Sequence, residues 1–170
     1  MNLHLIDDNA DVADALAFAF KSHEEVKVAN GDLLGLANNC VVSPANSQGF
    51  MDGGIDRAFV SFFGAGIEFK IRVIVGRTHG GWISVGSGTV VNTGHAVIPY
   101  LLVAPTMEQP EMVDALNAYR AMRAILRIAA AHAEIGRAVF CPGLCTGVGG
   151  VCPSVAAGEM LRAYNDWKHE

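Results

Sequence analysis

Short apolar runs alternate with longer stretches of helical periodicity along this 170-residue chain. LHLI (3–6), VKVA (26–29) and NCVVS (39–43) read as strands, as do GTVVNTG (88–94), YLLVA (100–104) and RAVF (137–140). DNADVADALAFAF opens with Asp and Asn, which cap orphan helical N–H groups, and continues as a helix. GGIDRAFVSFFG sets Ile55, Phe59, Phe62 and Phe63 at i, i+4, i+7 and i+8, one apolar helix face. GIEFKIRVIVGR is read as a further helix, against the strand preference of its β-branched residues. The longest helix is expected over residues 110–135, with Met112, Leu116, Tyr119, Met122, Leu126 and Ala129 as its stripe. Glu111 and Asp114 would then lie near its positive end. PSVAAGEMLRAYNDW closes the chain as a helix entered through Pro153 and Ser154.

Apolar runs without period-two alternation suit strands covered on both faces, and intervening helices supply the crossovers that parallel strands need. The pattern therefore predicts an α/β fold, a three-layer α/β/α sandwich on a mixed, mostly parallel sheet. No repeat, low-complexity segment or linker interrupts it, so a single domain over residues 1–170 is expected.

Composition changes the picture in three ways. Hydrophobic residues make up 51% of the chain, enough for a packed globule. The net charge of −5 and the scatter of the 12 Lys and Arg argue against a nucleic-acid-coating surface, which needs a clustered basic face. No run is long enough to cross a bilayer, and the first residues lack a basic segment followed by an apolar core. A cytoplasmic location without membrane partners is the expectation, with the four cysteines as thiols. Cys141, Cys145 and Cys152 lack the paired C-x-x-C spacing of a zinc site, so the cysteines are read as small buried hydrophobes and no metal is expected.

Ligands of open parallel sheets lie beyond the carboxyl ends of the strands, and the unusual residues gather there. NGD follows the second strand, PANSQGFMDGG the third, PT the fifth and CPGLCTGVGG the sixth. Two glycine-rich segments that each lead into a helix form an anion-binding arrangement of N–H groups; strand-to-helix geometry alone is the competing explanation. Neither segment is a GxxxxGK[ST] loop, and GVGGVC is not a GxGxxG fingerprint, which argues against a nicotinamide dehydrogenase. A diphosphate held by neutral amides, with no metal and no cofactor, fits best. An unrelated nucleotide-binding or thiol enzyme using Cys141 or Cys145 is a further reading. His79 and His95 sit by glycines in turns and His132 on the long helix; these, with Trp82 and Trp167, are read as structural.

Taken in order, NGDLL, SPANSQGFMDGGID, YLLVAPTM and PGLCTGVGG resemble the macro domain, the ADP-ribose-binding family, over residues 26–165. With the amino-terminal strand and helix, the chain is similar to a bacterial and phage branch of macro-domain-like proteins. The resemblance implies that Asp32 accepts a hydrogen bond from the adenine amino group while the Leu33 N–H meets a ring nitrogen. Helix capping is the alternative role for Asp32. It implies that Asn46 orients the distal ribose, where turn formation is the alternative. Gly53 and Gly54 would admit the diphosphate and distal ribose, Thr146, Gly147, Val148, Gly149 and Gly150 would wrap the diphosphate, and Gly143 is a further ligand-binding residue. Asp56 is implied to poise a water for hydrolysis of ADP-ribosyl esters or distal-ribose derivatives, such as O-acetyl-ADP-ribose or ADP-ribose 1''-phosphate. Complementing the positive end of its helix is the plainer reading of Asp56. The implied partners are ADP-ribose or a derivative and an ADP-ribosylated protein or nucleic acid. A non-catalytic ADP-ribose recognition module is the rival function. Ser43 stands where the family has an Asn, Met51 and Asp52 where it has glycines, and Gly149 where it commonly has an aromatic residue.

Overall fold

The computed structural model describes residues 1–170. Six strands appear where the apolar runs lie: β1 (Leu3–Asp7), β2 (Lys27–Asn30), β3 (Cys40–Ser43), β4 (Thr89–Asn92), β5 (Tyr100–Val103) and β6 (Val139–Cys141). They form one sheet in the order β2-β1-β6-β3-β5-β4, parallel except for β4, which runs antiparallel to β5. Val41 of β3 is paired with Phe140 of β6 on one side and with Leu101 of β5 on the other. The carboxyl ends of β3 and β6 are therefore immediate neighbours.

Helices cover both faces. Helices α1 (Ala10–Ala19), α5 (Leu116–Ala131) and α7 (Pro153–Lys168) bury a cluster that takes Leu3, Leu5, Cys40, Val42, Leu102, Val139 and Cys141 from the sheet. Helices α3 (Gly54–Phe63) and α4 (Gly66–Arg77) pack on the other face against Val41, Leu101, Val103 and Phe140. Successive strand residues point to opposite faces, so continuous apolar runs such as CVVS feed both cores at once. The fold is the three-layer α/β/α sandwich.

Several expectations need correction. The helix expected over residues 110–135 starts only at Leu116, because Asp114 Oδ1 accepts from the Leu116 N–H at 2.8 Å. It stops at His132, whose extended backbone precedes the short α6 (Ala133–Gly136). Residues before it are drawn across the loop after β6 by a hydrogen bond from the Val113 N–H to the Gly149 carbonyl at 3.0 Å. Met112 thus lies outside the helix and is 80% exposed. A four-residue helix, α2 (Leu33–Leu36), is too short to show periodicity in sequence. Phe59 fills the core under α3, but Phe62 stays exposed, edge-on to Phe63. Trp82 and Cys152 are exposed, not buried.

Candidate functional site

A cavity of about 790 Å³ opens along the carboxyl edge of the sheet, within the range of small-molecule sites. The chain leaving β1, β2, β3, β5 and β6 contributes to its wall.

The segment after β6 supplies backbone. The N–H groups of Thr146, Gly147, Val148 and Gly149 donate to no protein acceptor. The loop holds its shape through Gly150 N–H to Gly147 carbonyl and Val151 N–H to Cys145 carbonyl bonds, each 3.0 Å. Cys145 adopts φ 64, rare for a residue with a Cβ, and marks the sharp bend. Gly149 explains its own identity, since a Cβ there would come 2.7 Å from the Cys145 carbonyl oxygen and 3.0 Å from Val113 Cγ2. An aromatic residue at this position has no room. Two expectations shift. Gly143 lines the cavity, but its N–H is already given to Asp7 Oδ2 at 2.9 Å, and a Cβ would meet Val12 Cγ1 at 2.3 Å. Gly150 lies outside the wall, and its N–H closes the turn onto the Gly147 carbonyl.

The segment after β3 supplies side chains. Asn46 Oδ1 accepts from the Gln48 and Phe50 N–H groups at 3.1 and 3.2 Å, while its Nδ2 donates to the Phe50 carbonyl at 2.8 Å. Turn formation therefore engages both lone pairs and one of its two amide hydrogens, leaving a single donor for a ligand. Gly53 and Gly54 lead into α3, and the N–H groups of residues 53–56 lack protein acceptors, as a helix start requires. Asp56, in that first turn, is 7% exposed yet lines the cavity. Ser43, fully buried at the end of β3, donates its hydroxyl to Asp56 Oδ1 at 2.5 Å. Oδ2 accepts no hydrogen bond from the protein. Burial pushes the Asp56 carboxyl up to about 6; Ser43 opposes this, and the charges of Asp52 and Glu68 add to it. Asp56 is thus mostly ionised at neutral pH, but weakly held in that state.

At the other end Asp32 caps α2, its Oδ1 accepting from the Leu34 N–H at 3.1 Å. The Leu33 N–H, in the first turn of α2, has no intrahelical acceptor. Asp32, Leu33 and Leu34 all line the cavity, and capping engages only one of the two Asp32 carboxylate oxygens. Sequence reasoning missed Asp7, Asp8 and Asn9, which also line this end. Asp7 ties β1 to the loop after β6, and Asn9 caps α1. The signal was the acid pair of LHLIDDN at the carboxyl end of a parallel strand.

Burial disfavours the thiolates of the two cysteines considered for thiol chemistry, pushing Cys145 up to about 12 and raising Cys141 as well. His95 holds a turn through Nδ1, which accepts from the Val97 and Ile98 N–H groups, while His79 and His132 are exposed. No three His, Cys, Asp or Glu side chains converge as a metal site, and no helix is long and apolar enough to cross a membrane.

Residues 42–160 match the family model described as Macro domain. An uncharacterized protein of Aquifex aeolicus is 36% identical over 138 residues, covering 81% of this chain and 79% of its own. The macrodomain of Mycobacterium tuberculosis DarG superposes with a TM-score of 0.69 at 20% identity, covering 82% of this chain and 89% of that one. An Oceanobacillus iheyensis macrodomain variant superposes at 0.71 with 16% identity over 84% of this chain and 73% of that one. That protein has also been solved with ADP and, as another variant, with ADP-ribose. The chain belongs to the macro domain family.

Proposed function

We propose that the cavity binds ADP-ribose and that the protein hydrolyses an ester or related derivative at the distal ribose. One observation carries this reading. Residues 146–149 and 53–56, whose N–H groups find no protein acceptor, follow adjacent parallel strands and line one cavity together with the buried Asp56 carboxylate. Such donors match a diphosphate without any Lys, Arg or metal. Asp32 Oδ2 and the Leu33 N–H present an acceptor and a donor, the complement of the adenine amino group and its neighbouring ring nitrogen.

Asp56 is positioned as general base. Ser43 fixes Oδ1, so Oδ2 takes a proton from water as its oxygen bonds to the acyl carbonyl carbon; the bond from that carbon to the ribose oxygen then breaks, and the ribose oxygen takes the proton back. Variants of the Oceanobacillus macrodomain have been solved at an asparagine, a glycine seven positions on and an aspartate ten positions on. Asn46, Gly53 and Asp56 have the same separations here, which supports the assignment. The purified protein should release ADP-ribose from an acidic-residue ADP-ribosyl ester. Asp56→Ala should lower that turnover by about a hundredfold or more while ADP-ribose binding persists. Retained turnover removes Asp56 from the mechanism.

A recognition module without turnover is the second reading, favoured by the engagement of Asn46 within its own loop. Binding of ADP-ribose with no turnover of ester, acetyl or phosphate derivatives would decide for it.

A further inference from the structure

Outside the cavity, a second and shallower hollow of about 460 Å³ is lined by Ala65, Glu68, Phe69, Arg72 and Val73. Their spacing of i, i+3, i+4, i+7 and i+8 puts them on one face of α4, which no other element covers there. The hollow adjoins the cavity wall. The Arg72 guanidinium lies over the ring of Phe50, 4.3 Å from its centroid, and Phe50 lines the cavity. The loop that carries Phe50 rests on α4, where a Cβ at Gly49 would come 2.8 Å from Ile71 Cγ2 and 3.8 Å from Arg72 Cγ. Glu68 in the hollow and Asp52 on the wall are close enough for both charges to reach the Asp56 carboxyl. The charge of this face also runs against that of the chain. Helices α3 and α4 carry Arg57, Lys70, Arg72 and Arg77 against Asp56 and Glu68, in a chain with 12 Lys and Arg against 17 Asp and Glu. None of the four cations enters an ion pair, and Lys70 alone of them finds a backbone acceptor, the Asn92 carbonyl at 3.0 Å. Beside Arg72 in the hollow, Phe69 leaves 71% of its surface exposed. An open apolar ring rimmed by unpaired charge is the composition of an interaction site.

From this continuity we propose that the α4 face docks the carrier of the ADP-ribosyl group, a polypeptide segment that sets an acidic residue on Arg72 and an apolar one on Phe69. The inference rests on the ADP-ribose reading above, which puts the modified side chain at the Phe50 end of the cavity. From Phe50 the hollow begins one side chain away, at Arg72. Residues two or three positions from the modified one, about 7–10 Å along an extended chain, therefore fall over it. The unpaired N–H groups of residues 53–56 belong to the cavity wall and are left to the nucleotide. Glu68 and Asp52 decide the class of carrier. Both would repel a run of phosphates, whereas a peptide can place a single carboxylate on Arg72 and keep clear of them.

The test is calorimetric titration of the full chain with free ADP-ribose and with two ADP-ribosylated peptides of equal length. Both are joined through a glutamine amide, so that no ester can turn over. One carries Asp and Leu close to the modified residue, the other Ser at both positions. The wild type should bind the Asp–Leu peptide about fivefold more tightly than the Ser peptide, or better. Phe69→Ser, outside the cavity wall, should cut that gain to about twofold or less and leave the affinity for ADP-ribose unchanged. Arg72→Gln should remove the dependence of the gain on ionic strength. Equal affinity for the two peptides, or a gain that survives both substitutions, overturns the inference. So does an ADP-ribosylated single-stranded oligonucleotide that gains more than the Asp–Leu peptide, an outcome that would assign the face to nucleic acid. Failure of ADP-ribose itself to bind overturns instead the reading beneath it, and the two failures are told apart in the same experiment.

Discussion

The two glycine-rich segments leave neighbouring strands and look alike in composition, but they are built on opposite plans. Residues 43–56 are fastened by side chains: Ser43 to Asp56, Asn46 to the Gln48 and Phe50 backbone, and Ser47 Oγ to the Met107 carbonyl. Residues 143–151 are fastened mainly by backbone and by close packing at Gly143 and Gly149. The first segment brings Asp52 and Asp56 to the cavity, while residues 143–149 bring no charged side chain. Both segments carry N–H groups that find no protein acceptor, the second with no charge beside them and the first next to the Asp56 carboxylate.

That contrast can be broken most forcefully in the second segment. Gly149→Val places its side chain against the Cys145 carbonyl and Val113, so the loop must move. ADP-ribose affinity should fall about tenfold or more, about 1.4 kcal/mol, by calorimetry. Unchanged affinity would show that the loop does not hold the ligand.

The first segment should respond in chemistry and in proton binding. Asp56 keeps its proton up to about 6 in the fold, against an ordinary value of 3.8. The folded chain then binds more protons than the unfolded one between those values, so this contribution is complete below 3.8 and is lost as pH rises through about 6. Asp56→Asn removes the cost of a buried charge and keeps an acceptor for Ser43. It should raise stability by about 2 kcal/mol at pH 7.5, with the gain fading toward pH 4 in denaturant titrations. A gain independent of pH would contradict this account. The smallest effect belongs to Ser43→Ala, which removes the bond favouring the ionised carboxylate. The acid limb of the pH–rate profile should move to higher pH; a uniform loss of rate with no shift would make Ser43 merely structural.

How much of this was legible in the sequence follows from range of interaction. The strands and main helices were readable because both cores are fed by continuous runs such as CVVS and YLLV, which state their burial locally. The start of α5 was not, because it depends on Asp114 capping Leu116 and on Val113 bonding to Gly149, far along the chain. The glycines of both segments were visible, yet their roles diverged for tertiary reasons: Gly143 packs on Val12 and Gly150 closes a turn. Ser43 read only as a shortened Asn, and its contact with Asp56 requires the turn between them to fold. Asp7 was visible as an acid at a strand end, but its bond to the Gly143 N–H, 136 residues away, was not.

The central claim is that unpaired amides from two adjacent strand exits converge on a pyrophosphate. Calorimetric titration of the wild type with ADP-ribose and with adenosine tests it directly. ADP-ribose should bind at least about a hundredfold more tightly, since only it presents the diphosphate to those amides. Equal affinity for the two, or binding of neither, would contradict the account.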